Sequence, residues 1–165
     1  MRDAAMCPAS KRTHPVPAEP NAPPRVRGTV LAFDFGEKRI GVAAGEHETG
    51  LAHALPGIHA ERSDARFAAI ARLLGEWRPA RLVVGLPLAA DGGAHAMTLR
   101  ARRFARQLEG RFRLPVVLVD ERYTSVEAEA LLRADSGAAP HGVDSAAAGL
   151  ILQQFLDQTR DPRGR

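Results

Sequence analysis

The stretch Leu31–Val42, "LAFDFGEKRIGV", sets one carboxylate inside an apolar, strand-like run and follows it with a glycine, a lysine and an arginine. An ionised aspartate among apolar groups costs on the order of several kcal/mol unless it is paired, hydrogen-bonded or metal-bound. Asp34 therefore either caps a turn through its own backbone, as aspartate often does before glycine, or faces something cationic. What the rest of the chain brings to the same place decides between the two.

Working outward, "TVLAFDFG" reads as a strand from its β-branched and aromatic content, closed by Gly36. "RIGVAAG" (39–45) and "GLAHALPGI" (50–58) follow after short polar links, which predicts an antiparallel three-strand meander. The period then changes. Phe67, Ile70, Ala71 and Leu74 fall at helical spacing, which predicts an amphipathic helix over 64–77 with Ser63 as its N-cap. "RLVVGLP" (81–87) and "LPVVLVD" (114–120) are continuous apolar runs, the pattern of strands buried on both faces. Between them a helix is expected over 94–110, with Met97, Ala101, Phe104, Ala105 and Leu108 on one face. Arg100, Arg102, Arg103 and Arg106 project from the other, either solvated or against phosphate. Thr124 with Glu127 forms a capping-box signature that opens a helix through Leu132, and a last helix spans 143–157. The order predicts an α/β fold: a mixed five-stranded sheet with helices on both faces, the meander plus two parallel strands. The first strand is expected centrally, beside the fourth and fifth.

Composition narrows the function. Residues 1–28 hold six of the twelve prolines and no periodic apolar pattern, so a disordered Pro-rich tail is expected there, with a domain over 29–159 and a short flexible C-terminus over 160–165. The tail lacks the apolar core of a signal peptide. The one cysteine, Cys7, leaves no disulfide framework or cysteine-based zinc site. No apolar run approaches the ~20 residues of a membrane span. A cytoplasmic protein without membrane contact, monomeric or weakly homodimeric, is expected. The net charge of +4 favours a polyanionic partner, although 21 of the 23 basic residues are arginine, a skew that base composition alone can produce.

If the first and fifth strands run parallel, Asp34 projects at the same sheet edge as Asp120 and Glu121. Asp144, which begins the last helix, can lie over that edge. Converging carboxylates repel and raise one another's pKa, and such clusters normally hold divalent cations. Oxygen-only ligation points to Mg²⁺ or Mn²⁺ rather than Zn²⁺. Two such ions ~4 Å apart can activate water and stabilise the leaving oxygen of a phosphodiester.

"FDFGEKRIGVAAGE", "VVGLPLAADGG", "VDERYTSVEAEALL" and "VDSAAAGLILQQFL" resemble, in order and spacing, the YqgF family, also called RuvX, over about residues 29–158. The resemblance implies a ribonuclease H-like fold related to the Holliday-junction resolvase RuvC. It also implies a nuclease role in maturing the 5′ end of precursor 16S ribosomal RNA. Asp34 matches the family's first-strand aspartate, Asp120 and Glu121 its "DER" pair, and Asp144 the aspartate that opens its last helix. The chain departs from the family at Tyr123 and Ser125, where "DERLTT" is usual, and at Ala89, Ala90 and Gly93, where the loop usually resembles "GLPLNMDGS".

Neighbouring strand residues point to opposite faces, so one of Asp120 and Glu121 is the direct ligand; Glu121 is preferred and Asp120 is second choice. Asp144 at a helix start equally satisfies free backbone N–H groups. Lys38, Arg39, Arg122 and Tyr123 are candidate nucleic-acid contacts. Gly85 and Gly92 mark a candidate phosphate loop. Trp77 and Tyr123 are too few for a base-stacking platform. "DFG" in a chain lacking a Gly-rich loop and a His-Arg-Asp segment is not a kinase motif. The expected protein is a metal-dependent nuclease of RNA. The rivals are a junction-resolving DNA endonuclease, a non-catalytic RNA-binding assembly factor and a sugar-kinase-like ATPase, the last needing a second domain.

Overall fold

Side-chain alternation along β1 (Thr29–Phe35) separates the molecule into two layers. The computed structural model describes residues 27–121 and 142–160. Nearly all of the expected tail and C-terminus, and the whole of the helix expected from Thr124, fall outside them. Val30 and Ala32 face one side of the sheet and Leu31 and Phe33 the other, and all four are completely buried. β2 (Arg39–Glu46) and β3 (Leu51–His59) complete an antiparallel meander with β1. β4 (Arg81–Leu86) and β5 (Val116–Asp120) add in parallel, giving the order β3-β2-β1-β4-β5.

The five-stranded mixed sheet is as expected, with β1 central. β5, however, pairs with β4 rather than with β1, and it is an edge strand. Among its residues only Val119 is buried, and Leu118 is 40% exposed. An apolar run of this kind cannot by itself distinguish an edge from a centre.

α1 (Ser63–Trp77) and α2 (Ala96–Phe112) cover the face carrying Leu31 and Phe33. Phe104 of α2 stacks on Phe35 at 4.8 Å between ring centroids and meets Phe33 edge-on at 6.1 Å. Such geometry adds about 0.5–1.5 kcal/mol per pair to the area term. Two details differ from the periodicity. Ala71 is exposed, and Leu73 packs beside Leu74 in its place. Met97 is only partly buried, whereas Thr98 is fully buried, its hydroxyl donating to the Pro87 carbonyl and accepting the His95 N–H at 3.0 Å. Ser63 is the first helical residue rather than the cap, because the Arg62 carbonyl already accepts the Arg66 N–H.

α3 (Val143–Thr159) covers the opposite face, with Ala148, Ile151, Leu152, Phe155 and Leu156 packed on Val30, Ala32, Ala43, Val83 and Val119. It lies on β2 at backbone distance. A Cβ on Gly45 would sit 2.6 Å from the Leu51 carbonyl oxygen and 3.1 Å from methyls of Leu152 and Leu156. One on Gly41 would overlap the Asp144 carbonyl. α3 is also stitched at both sides: Gln153 accepts the Ala52 N–H and donates to the Gly50 carbonyl, and Gln154 donates to the Asp120 carbonyl at 3.1 Å.

Gly45→Ala therefore forces backbone and side chains apart in a filled layer. Urea unfolding is expected to show a loss of about 2–3 kcal/mol, the usual range for overpacking. An unchanged midpoint would show that α3 does not need this close approach.

Candidate active site

Asp34 shares its face of β1 with Val30 and Ala32, so its carboxylate points to the α3 side. Both neighbouring strands present glycine to it. Gly41 is its antiparallel partner on β2, and the β1–β4 register, which runs to Phe33 opposite Val84, brings Gly85 alongside next. The missing side chains leave room that other groups use. A Cβ on Gly85 would strike the Glu121 carboxylate and Ile151, just as one on Gly41 would strike Asp144. Glu121 thus reaches over β4 toward β1.

Alternation on β5 separates the two adjacent acids. Val117 and Val119 belong to the α3-side cluster, so Asp120 points away from it and Glu121 returns to it. The hydrogen bond from Gln154 to the Asp120 carbonyl fixes the strand end against α3. Asp144, in the first turn of α3, is brought in from above by the contact with Gly41.

These placements have an electrostatic consequence. Burial, reinforced by the Asp144 carboxylate, raises the Asp34 pKa from 3.8 to about 6. Burial, then the charges of Asp34 and Asp120, raises that of Glu121 from 4.5 to about 7. Acids from β1, the end of β5 and the start of α3 therefore feel one another across one sheet edge. Among the described residues, no three His, Cys, Asp or Glu side chains close up to metal-binding spacing, so the acids lie within electrostatic reach without meeting at a point. Their donor set is hard and oxygen-only, which suits Mg²⁺ or Mn²⁺ better than Zn²⁺.

Lys38 is exposed in the β1–β2 link, and Arg39 is exposed at the start of β2 on the same face as Gly41. Arg122 and Tyr123 lie outside the described residues. Gly85 is a buried residue within β4, not part of a loop. Gly92 does lie in the loop after β4, but its N–H donates to the Ala89 carbonyl at 2.8 Å, and the Gly93 N–H donates to Asp91 at 2.8 Å. Those two amides are used within the loop itself. The exposed arginines of α2 lie on the α1/α2 side of the sheet, away from the acids, and Arg100 pairs with Glu37. Gly41, like Gly36, reads from the sequence as a glycine serving backbone geometry or close ligand approach, and here it admits the Asp144 backbone; Gln154, which fixes the end of β5, carries no such mark in the sequence.

Residues 28–158 match the family model described as "RuvX: Holliday junction resolvase". A Methylobacillus flagellatus protein named "Putative pre-16S rRNA nuclease" is 58% identical over 134 residues, covering 79% of this chain and 92% of that protein. A Burkholderia mallei protein of the same name is 56% identical over 133 residues, covering 81% and 90%. Among solved structures, Thermus thermophilus RuvC in complex with a Holliday junction matches with a TM-score of 0.56 at 16% identity, over 80% of this chain and 95% of that one. The fowlpox virus resolvase matches at 0.54 and 9% identity, over 81% and 99%. At such identities these structures bear on the fold alone, which they share.

The raised acids set a pH dependence. Between pH about 4 and 7 the folded chain holds protons that the unfolded chain has released, so in EDTA the unfolding free energy falls as pH rises through this window and levels off above it. Asp34→Asn removes the buried charge. It is expected to gain on the order of 1 kcal/mol over wild type at pH 8, discounted for partial solvation, and nothing at pH 4, by urea unfolding in EDTA. Equal stability of the two proteins at pH 8 would contradict the raised value.

Proposed function

The chain belongs to the RuvX (YqgF) family, and on that footing we propose that it is a metal-dependent nuclease that processes ribosomal RNA, maturing the 5′ end of precursor 16S rRNA in the cytoplasm. The observation that carries the reading is the lifting of Asp34 by burial and the Asp144 charge, and of Glu121 by burial and the charges of Asp34 and Asp120, at one edge of the sheet. A fold that buries like charges beside bare glycines keeps a place for a cation. Asp34, Glu121 and Asp144 would hold Mg²⁺ or Mn²⁺, with Asp120 in support. Such ions, when bound, supply Lewis acidity that makes a hydroxide available near neutral pH and offsets charge on the phosphate.

The chain's own groups do the rest. The Asp34 and Glu121 carboxylates keep fixed places because glycines clear their surroundings and α3 packs above them. Arg39 and Lys38 offer charge-assisted hydrogen bonds to backbone phosphates just beyond the acids. Hydrolysis joins a water oxygen to phosphorus and breaks its bond to the 3′ oxygen, which takes a proton. The products are a 5′-phosphate and a 3′-hydroxyl.

The RNA reading is supported by relatives that are 56–58% identical and nearly coextensive. A second reading, cleavage of branched DNA, is favoured by the description of the matching family. Side-by-side assays on a labelled precursor rRNA and a four-way DNA junction separate them, with faster cleavage of the RNA expected. Asp34→Asn and Asp144→Asn should each lower cleavage at least about a hundredfold, and EDTA should abolish it until Mg²⁺ or Mn²⁺ is restored. Turnover by Asp34→Asn at the wild-type rate would refute the mechanism. RNA binding without product from the wild-type chain would favour an assembly factor.

A further inference from the structure

The recess beside the acids has its own chemistry. It has a volume of ≈ 340 Å³ and opens between the β2–β3 edge and the first turn of α3. Arg39 and His59 are direct cross-strand partners at its mouth, and both are exposed. Ser145 lines it from α3. That serine is 0% exposed, yet among the described residues its hydroxyl has no hydrogen-bond partner. Bare Gly57 lies between the two sides: a Cβ there would be 3.4 Å from Ser145 Oγ and 3.9 Å from His59 Nε2.

The backbone contributes as well. The α3 ladder begins with the Ala146 N–H bonded to the Gly142 carbonyl, so the N–H groups of Val143, Asp144 and Ser145 precede it. Among the described residues, no side chain caps this end of the 17-residue helix. An uncapped N-terminus carries partial positive charge and donors suited to an anion. A buried hydroxyl left without a partner costs stability, of the kind a fold tolerates where a ligand supplies the bond. Arg39 adds a fixed positive charge. Among the described residues that line the recess, only the Asp144 carboxylate opposes an anion, and it lies within the field of Asp34.

We propose that this recess is a phosphate-binding subsite, in which Ser145, Arg39, His59 and the first amides of α3 hold one phosphate of the nucleic-acid strand next to the carboxylates. That the phosphate belongs to nucleic acid rests on the nuclease reading; the recess itself does not. The phosphate is either the 5′-terminal group or an internal one, and the experiment separates these.

The full-length chain is titrated in EDTA, where gels confirm that the RNA stays intact. The probes are inorganic phosphate and two short single-stranded RNAs, one with a 5′-phosphate and one with a 5′-hydroxyl, and the readouts are anisotropy for the RNAs and NMR for phosphate. Ser145→Ala and Arg39→Gln are each expected to weaken the 5′-phosphorylated RNA and inorganic phosphate about tenfold. If only the 5′-phosphorylated RNA is affected, the subsite holds the terminal group; if both RNAs are, it holds an internal phosphate. Removal of an unpartnered hydroxyl should leave the Tm of Ser145→Ala unchanged or raise it. A lower Tm would mean that the hydroxyl serves the fold, and unchanged affinity in Ser145→Ala would mean that Arg39 binds alone at the surface. Either result overturns the subsite. Because binding is read without turnover, its failure leaves the nuclease reading standing. Conversely, an Asp34→Asn variant that still cleaves would sink the nuclease reading without touching the subsite.

Discussion

The close seating of α3 on β2 is the contact on which the rest of the structure depends. It requires that Gly41 carry no side chain, since a Cβ there would meet the α3 backbone at Asp144, and that Gly45 carry none, since a Cβ there would crowd Leu152 and Leu156 of α3 as well as the Leu51 carbonyl of β3. Granted that contact, three things follow. The first turn of α3 brings Asp144 over Asp34, Gln154 reaches the carbonyl of Asp120, and the apolar residues of α3 seal that face of the sheet. Each large apolar side chain in that seal contributes about 1.5–3 kcal/mol. Ile151, Leu152, Phe155 and Leu156 together supply ample free energy to hold like charges near one another. The repulsion among the acids is thus sustained by packing, and it appears as raised pKa values rather than as separation.

The two faces of the sheet divide the work. The α1/α2 face is a scaffold, with Phe33, Phe35 and Phe67 each packed on Phe104 and, among the described residues, no carboxylate buried there. The α3 face carries the acids. Alternation along β1 makes the division automatic, because Leu31 and Phe33 enter one layer and Val30, Ala32 and Asp34 the other. A shift of one residue in the β1 register would exchange the layers and bury Asp34 among aromatic rings.

Much of this was legible in the chain because it rests on short-range signals. The meander shows in alternating runs broken by polar links, and the placement of Asp34 near a strand end shows in one quoted stretch. That Asp120 and Glu121 take opposite sides follows from a period of two, and the structure places them so. What was not legible depends on partners distant in sequence. The edge position of β5 comes from which strand it pairs with, and "VVLVD" carries no mark of that. Thr98 reads as polar and belongs outside by composition, yet it is buried because the Pro87 carbonyl needs a donor. Gly85, a candidate for the phosphate loop, lies instead in the strand that "RLVVGLP" predicts, its missing side chain making space for a residue 36 positions later. The Gly92 amide donates to the Ala89 carbonyl of its own loop, a pairing that glycine spacing alone does not show.

Opposite electrostatic demands lie side by side at this edge. The acids on β1, β5 and α3 favour cations, while beside them the first amides of α3, Ser145 and Arg39 favour an anion. A small anion alone satisfies one demand and is repelled by the other, and a metal ion alone does the reverse. A phosphodiester strand with its counter-cations satisfies both, because one phosphate can sit in the recess while the next lies over the acids. The spacing between the two regions is set by Gly41, which is at once the partner of Asp34 in the sheet and the seat of the α3 backbone. One bare Cα position thus ties the place of a cation to the place of a phosphate, which is why the docking of α3, rather than the acids taken singly, decides what this surface can bind.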